Sequence, residues 1–243
     1  MFGFLRDRRE LWLFIGAWIA FVLLLAVKIK FDVPDGMKAW PSLIAALQSD
    51  AFEDISGDLL IGLISAYFFY LVIELFPRRR TEQKTKGILS TLLSSLVETF
   101  LHDRITAHAE PLGKFHELRT EEIDASKLLL KNKPDLRQFL SLTFIAKWGY
   151  PKFSNSLQLA VSLGVDHARV WMDLTDCVAR IKEHGERADR TELLGQLVDI
   201  INLVGKPEID DSVEDDAFMW VCMMRDDMKK FLALAEEWQA LCR

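Results

Sequence analysis

Leu11–Val27 is the feature that most limits what this chain can fold into, because these 17 consecutive residues carry no charge. As a helix they would extend about 26 Å at 1.5 Å per residue, close to the roughly 30 Å hydrocarbon core of a bilayer. Lys28 and Lys30 follow the run, and their long side chains can reach outward to the membrane surface. The run predicts a first transmembrane helix over residues 11–30.

A cleaved signal peptide is the alternative interpretation of this run, since such peptides also place basic residues before an apolar stretch. Signal peptides end in a small-residue cleavage site, and no such site follows Val27. We therefore favour an uncleaved signal anchor.

Leu59–Ile73 is a second uncharged run, of 15 residues. It reaches the length of a membrane span when its ends are counted as interfacial, which predicts a second transmembrane helix over residues 55–76. A buried helix in a soluble core is the alternative. The four consecutive aromatic residues Tyr67–Tyr70 argue against it, because they would face all sides of a helix and leave no polar stripe.

Lysine and arginine near the two runs predict their orientation. The tail, residues 1–10, has three arginines, and Arg78, Arg79 and Arg80 follow the second run, whereas residues 28–58 have three lysines against six acidic residues. Both termini are therefore expected in the cytoplasm, with the connector, residues 31–54, outside. We expect the three arginines to lie at anionic lipid headgroups and to fix the topology.

Pro77 stands between the second run and these arginines, where the missing backbone N–H predicts that the span ends or bends. A solvated basic turn of a soluble protein is the alternative. Within the connector, residues 37–47 predict a short interfacial helix.

Residues 77–243 are expected to form a cytoplasmic helical domain with 27 acidic and 24 basic side chains, a balance that does not favour direct nucleic-acid binding. Apolar residues recur at helical spacing throughout, and glycine and proline mark the breaks. The predicted helices are a long one whose apolar stripe runs from Ile88 to Ile105, then Glu121–Leu130, Pro134–Trp148, Phe153–His184 with a weak point at Gly164, Thr191–Val204, and a last one over about Phe218–Trp238. Gly185 is expected at a helix C-terminus, and Glu208–Asp216 as a loop and helix entrance.

The fold predicted from these patterns is all-α, with two N-terminal transmembrane helices followed by a cytoplasmic helical bundle. No run of alternating apolar and polar residues is long enough to indicate a sheet.

Side chains that could carry catalysis do not fall into a recognisable pattern. The cysteines Cys177, Cys222 and Cys242 are widely spaced and predict free thiols, and the five histidines lack metal-ligand spacing. Helical pairs such as Asp176 with Arg180 most simply stabilise a surface. We therefore expect no catalytic residue, cofactor or metal and do not expect an enzyme, although an enzyme with an unknown motif remains an alternative.

Small residues inside the two spans are candidates for close helix packing. Gly16 with Ala20, and Gly62 with Ala66, are four residues apart, a spacing that lets helix backbones approach, and Ser65 can hydrogen-bond across an interface. No charged residue lies deep in either span, which argues against a conventional transporter.

This layout, from the basic tail through two close spans and the arginine cluster to a helical domain, resembles the two-transmembrane effectors of bacterial anti-phage defence, of the retron-associated type. The resemblance covers the whole chain but rests on organisation, so it transfers no site residue. It implies an inner-membrane toxin that a reverse transcriptase with its RNA–DNA product holds inactive. When released, the toxin would self-associate in the lipid bilayer and disrupt the membrane, which gives abortive infection.

A membrane-anchored adaptor or sensor is the competing function. Its helical domain would recruit a soluble partner to the membrane, and its spans would not need to associate.

Overall fold

The computed structural model describes residues 8–29, 50–132, 136–190 and 211–243, and within them the side chains of 10–25, 54–132, 136–189 and 219–243. Over these ranges the regular structure is helical and contains no strand, which confirms the predicted all-α class. The chain divides into two compact units, one up to Arg80 and one from Thr81 onward.

Two long apolar helices form the first unit. Helix α1 (Arg8–Ile29) and helix α2 (Asp50–Tyr70) pack against each other, and we call the pair the apolar hairpin. Ala20 of α1 and Gly57 of α2 are buried within this unit. Small residues at such positions allow two helix backbones to approach closely.

Helical structure that begins with α2 continues beyond Pro77, where the sequence predicts that the span ends or bends, so Pro77 does not end the helix. A π-helical segment, Leu71–Leu75, follows directly, and helix α3 (Phe76–His102) continues from it. The Phe76 N–H donates to the Leu71 carbonyl, five residues back. Because the wider π turn re-registers the backbone hydrogen bonds immediately before Pro77, the helix continues past a residue that cannot donate one.

Helix α3 ends in a left-handed turn. Asp103 has a φ of 49°, and the Arg104 N–H donates to the Thr99 carbonyl at 3.3 Å, which is the long hydrogen bond of a Schellman motif. Ser141 Oγ donates to Asp103 Oδ1 at 2.8 Å and anchors this turn.

The remaining elements of the second unit are short 3₁₀ segments and helices. They are the 3₁₀ segments Ile105–Ala109 and Leu112–Lys114, followed by helices α4 (Thr120–Lys131), α5 (Leu136–Asn155), α6 (Leu157–Leu163), α7 (Val165–Arg190) and α8 (Asp211–Cys242).

Helix α7 lies centrally in this bundle and packs against α5, α6 and α8. Its Trp171 is fully buried, stacks on Phe153 at 5.4 Å between ring centroids and donates its indole N–H to the Phe153 carbonyl. Trp238 of α8 packs against Trp171 and donates to Ser90 Oγ at 3.2 Å. Each buried indole thus has a hydrogen-bond acceptor, as burial of such a group requires.

Two of the predicted helix breaks differ from the structure. Helix α5 runs through Pro151 to Asn155, although the sequence predicts a break between Trp148 and Phe153. Gly185 lies inside α7, not at its end. By contrast the predicted weak point at Gly164 is confirmed, since this residue separates α6 from α7 with a φ of 128°.

Close packing explains Gly185. A Cβ at this position would lie 2.7 Å from the Cβ of Thr143 on α5, so only glycine allows α5 and α7 to come this close.

Most of the predicted stripe on α3 is buried, including Leu89, Leu93 and Phe100. Its two ends are not, because Ile88 and Ile105 are exposed and Ile105 belongs to a 3₁₀ segment beyond the helix. The acidic residues from Asp211 onward are already helical in α8 and do not form a loop. Four predicted features lie outside the described residues: the interfacial helix at 37–47, the helix at 191–204, the helix start at Pro134 and the loop residues 208–210.

Candidate functional site in the apolar hairpin

Apolar side chains cover the outside of the hairpin. Trp12, Ile55 and Leu59 each expose about 70% of their surface (70%, 71% and 71%). Within the described residues, the continuous helix Asp54–His102 is the one that is long and apolar enough to cross a membrane, and only 6% of its most apolar window is buried. The described part of α1, Glu10–Leu25, is apolar but shorter.

This exposure distinguishes the hairpin from a soluble core. A core helix buries its apolar side chains, whereas large contiguous apolar surfaces in water are unfavourable and mark sites of contact with lipid or protein. The surface of the hairpin is therefore suited to an apolar environment.

The five small residues predicted to mediate packing do not lie in one contact. Ala20 is buried within the unit, whereas Gly16, Gly62, Ser65 and Ala66 are exposed. A Cβ added to Gly16 or to Gly62 would meet no atom within 4 Å. The single chain thus uses Ala20 for its own packing and leaves the other four positions accessible.

An ion pair ties the beginning of α1 to the beginning of α3. Arg79 Nη2 lies 3.0 Å from Glu10 Oε2, and the Glu10 side chain is only 11% exposed. The two residues are 69 positions apart in the chain. The Nε of Arg79 is buried and has no hydrogen-bond acceptor among the described residues, so Nη2 makes the contact with Glu10.

Glu10 is not among the residues that the sequence predicts for this candidate site. The available signal was its position as the single acid between the arginines of the tail and the first apolar run, opposite in charge to the arginine cluster. Arg78 and Arg80 flank Arg79 and are exposed. The arginine cluster therefore contains one residue that is held within the protein and two that are more accessible to the surroundings.

A second polar cluster joins α7 to α8 in the bundle. The Asp227 carboxylate accepts from Arg180 Nε at 2.7 Å, and its other oxygen lies 2.9 Å from His184 Nε2. Trp220 donates its indole N–H to the His184 carbonyl at 3.1 Å. Arg180 is thus paired with Asp227 of another helix and not with Asp176, which the sequence suggests as its helical neighbour.

Cys177 lies beside this cluster but is not suited to nucleophilic chemistry. The thiol is fully buried and lies 3.0 Å from Arg180 Nη2. Burial raises the pKa of Cys177, and the positive charge of Arg180 opposes this without reversing it. The thiolate is the reactive form of cysteine, and a raised pKa disfavours it. We therefore interpret the cluster as a structural link between α7 and α8.

Cys177, Cys222 and Cys242 are free, as predicted. In the part of the chain that the structure describes, no three residues of the types His, Cys, Asp and Glu are grouped so as to hold a metal ion.

In comparisons with known proteins, no family model, no curated protein and no solved structure matches this chain.

Proposed function

We propose that the protein is an inner-membrane effector of a bacterial anti-phage system, a toxin whose apolar hairpin disrupts the membrane. The observation that carries this proposal is the hairpin itself: two packed helices whose outer surfaces are apolar and exposed, including a helix long enough to span the bilayer. An activity at the membrane needs such an apolar surface.

Both α1 and α2 span the membrane in this proposal. The described helix α1 has 22 residues, enough for a span when its ends lie at the interfaces. The basic tail and the arginine cluster Arg78–Arg80 remain on the cytoplasmic side, and the acidic connector lies outside. The bundle from Thr81 onward is then cytoplasmic.

Self-association of the hairpin supplies the toxic step. Gly16, Gly62, Ser65 and Ala66 are exposed in the single chain, so they offer low points on the helix surface where a second copy can approach. Association through such residues needs no charged group inside the bilayer. The active form is accordingly a homo-oligomer.

A partner bound to the cytoplasmic bundle keeps the protein inactive before infection. The resemblance to retron-associated effectors supports a reverse transcriptase with its RNA–DNA product as this partner. The net acidic balance of the bundle favours contact through the partner's protein surface and not through its nucleic acid.

Expression of the full chain alone in a bacterial host tests the proposal. Growth arrest together with loss of membrane potential and dye entry is the expected result. A matched control joins the domain from Thr81 onward to an unrelated two-span anchor and should be harmless. Normal growth and polarisation of cells that express the full chain would overturn the proposal. If the domain from Thr81 onward keeps the function of the full chain on the unrelated anchor, the protein is an adaptor and not a toxin.

A further inference from the structure

A basic groove lies between α4 and α8, in the second unit. Four cationic side chains line it, Lys127 and Lys131 from α4 and Arg225 and Lys229 from α8, together with the buried Leu130. Its volume is about 290 Å³. We define these five residues as the basic groove.

Each helix contributes its two cations one turn apart. Like charges at this spacing repel each other and destabilise a helix, and here two such pairs face the same concave surface. The bundle as a whole carries more acidic than basic side chains, so the clustering of four cations is a local feature of this surface.

Carboxylates within the protein neutralise the groove only in part. Lys127 is 2.6 Å from Glu236 and Lys229 is 3.0 Å from Asp226, but both pairs are solvent-exposed and are weak enough to exchange for another anion. Among the described residues, Lys131 and Arg225 make no ion pair, and Arg225 Nε is buried without an acceptor. The end of α4 adds only about half a negative charge, so the groove stays positive.

We infer that the basic groove binds a phosphate group of a small molecule. A phosphate offers three or more oxygens and up to two negative charges to cations that approach from two helices, whereas a carboxylate offers two oxygens and one charge. The planar guanidinium of Arg225 can hold a phosphate through two parallel hydrogen bonds, and the lysines supply point charges. The volume admits a phosphate or diphosphate with a small attached group and is too small for a folded partner. The inference does not depend on the proposed membrane activity.

Two sources can supply the phosphate, a soluble phosphorylated molecule or the headgroup of an acidic lipid. Pyrophosphate and short-chain phosphatidate represent them as probes. Each is titrated calorimetrically into the full chain in neutral detergent at low ionic strength, where screening is weak. Acetate serves as the monocarboxylate control.

The expected result is saturable binding of pyrophosphate, of phosphatidate or of both, and none of acetate. The double variant Lys131→Gln/Arg225→Gln should weaken binding by about tenfold or more, as expected for the loss of two charge-assisted hydrogen bonds. Arg225→Lys should give an intermediate loss, because it keeps the charge and removes the planar donor pair. The control Lys152→Gln/Arg169→Gln removes two charges from exposed positions outside the groove and should bind like the wild type.

Preferential binding of one probe identifies the source of the phosphate and supports the site in either case. A circular dichroism spectrum and a melting temperature equal to those of the wild type show that the double variant is folded. If the double variant does not fold, the affinity of Arg225→Lys is compared with that of the wild type instead. The inference is overturned if neither probe binds the wild type, or if the control pair loses as much affinity as the groove pair.

Discussion

Arg79 and Glu10 form an ion pair at 3.0 Å between the first turn of α3 and the start of α1. Glu10 belongs to the basic tail and Arg79 to the arginine cluster, two segments that the sequence alone assigns to the same side of a membrane. The pair joins these segments directly. Within the protein, the charge of Arg79 is balanced by Glu10, whose side chain is only 11% exposed.

Removal of either partner should therefore weaken the hairpin. We expect Glu10→Gln or Arg79→Gln to lower the free energy of unfolding by about 1 kcal/mol or less, since the Arg79 side chain is 36% exposed and solvent screens the pair. The double variant should cost no more than the larger single change, because the second substitution removes an already broken contact. Thermal melting of the full chain in neutral detergent measures all three.

Arg80→Gln is the matched control for this cycle. It removes the same charge from the neighbouring exposed position and leaves the Arg79–Glu10 pair intact, so the melting temperature should stay close to that of the wild type. Additive losses from the Glu10 and Arg79 substitutions would show that the pair contributes no coupling.

The arginine cluster should also determine orientation. Arg78→Glu/Arg80→Glu leaves the Glu10 contact intact and reverses two charges next to the apolar hairpin, so we expect a mixed or inverted topology. Alkaline phosphatase fused after Arg243 reports this, because the enzyme is active only outside the cytoplasm. Arg78→Lys/Arg80→Lys keeps the charge and should keep the topology. If the glutamate variant retains a fully cytoplasmic C-terminus and full activity, the cluster has no part in orientation.

Gly16 and Gly62 distinguish packing within one chain from packing between chains. A Cβ at either position meets no atom within 4 Å, so Gly16→Ile and Gly62→Ile should leave the melting temperature of a single chain nearly unchanged. They should block close approach of a second copy, which predicts loss of growth arrest and of crosslinked dimers in membranes. Leu13→Ile and Leu63→Ile change exposed residues of the same helices without blocking such an approach. Full toxicity of both glycine variants would exclude these positions from the association surface.

The sequence predicts the parts of this fold that depend on neighbours in the chain. Uncharged runs and helical spacing predict the apolar helices and the all-α class. Gly164 predicts a weak point, and there the structure has a φ of 128°, which suits glycine. These signals are local, and the structure confirms them where the residues are described.

Contacts between segments that are distant in the chain cannot be predicted from local sequence patterns. Arg180 has a suitable acid four residues earlier, yet its partner is Asp227 on another helix. Pro151 indicates a break, yet burial of Phe153 and the hydrogen bond from Trp171 to its carbonyl hold the last turn of α5 in place. Glu10 could not be selected for the candidate site for the same reason, since its partner is 69 residues away.

Gly185 should be required for the close packing of α5 against α7, although the sequence predicts it at a helix end. Gly185→Ala would place its Cβ 2.7 Å from the Thr143 Cβ, and we expect a loss of about 1–3 kcal/mol in the free energy of unfolding from overpacking. Gly149→Ala on α5 is the matched control: its nearest neighbour would be Phe153 at 4.0 Å, so alanine should be neutral or stabilise the helix by up to about 1 kcal/mol. Chemical denaturation followed by tryptophan fluorescence compares them. Equal stability of the two variants would show that α5 and α7 can separate at no cost.

His167 should make the bundle less stable in mild acid. Burial lowers its pKa below the ordinary 6.5, and the positive charge of Lys86 lowers it further, while the Leu241 carbonyl, Asp166 and Glu82 oppose the shift. The ring also packs edge-on against Trp238 at 5.5 Å. Because the unfolded chain takes up the proton more readily, the contribution of His167 to stability is complete above 6.5 and is lost as the pH falls through that value toward the folded pKa.

The measurement compares melting temperatures near pH 7.5 and near pH 5 for the wild type and two variants. His167→Gln loses the ring contact with Trp238 and so starts lower, but its melting temperature should fall less between the two pH values because the titrating group is gone. Lys86→Gln removes hydrogen bonds to the Leu241 and Cys242 carbonyls and one cause of the depressed pKa, so it should also start lower and show a smaller decrease. The same decrease in all three proteins would mean that other groups cause the acid sensitivity of the bundle.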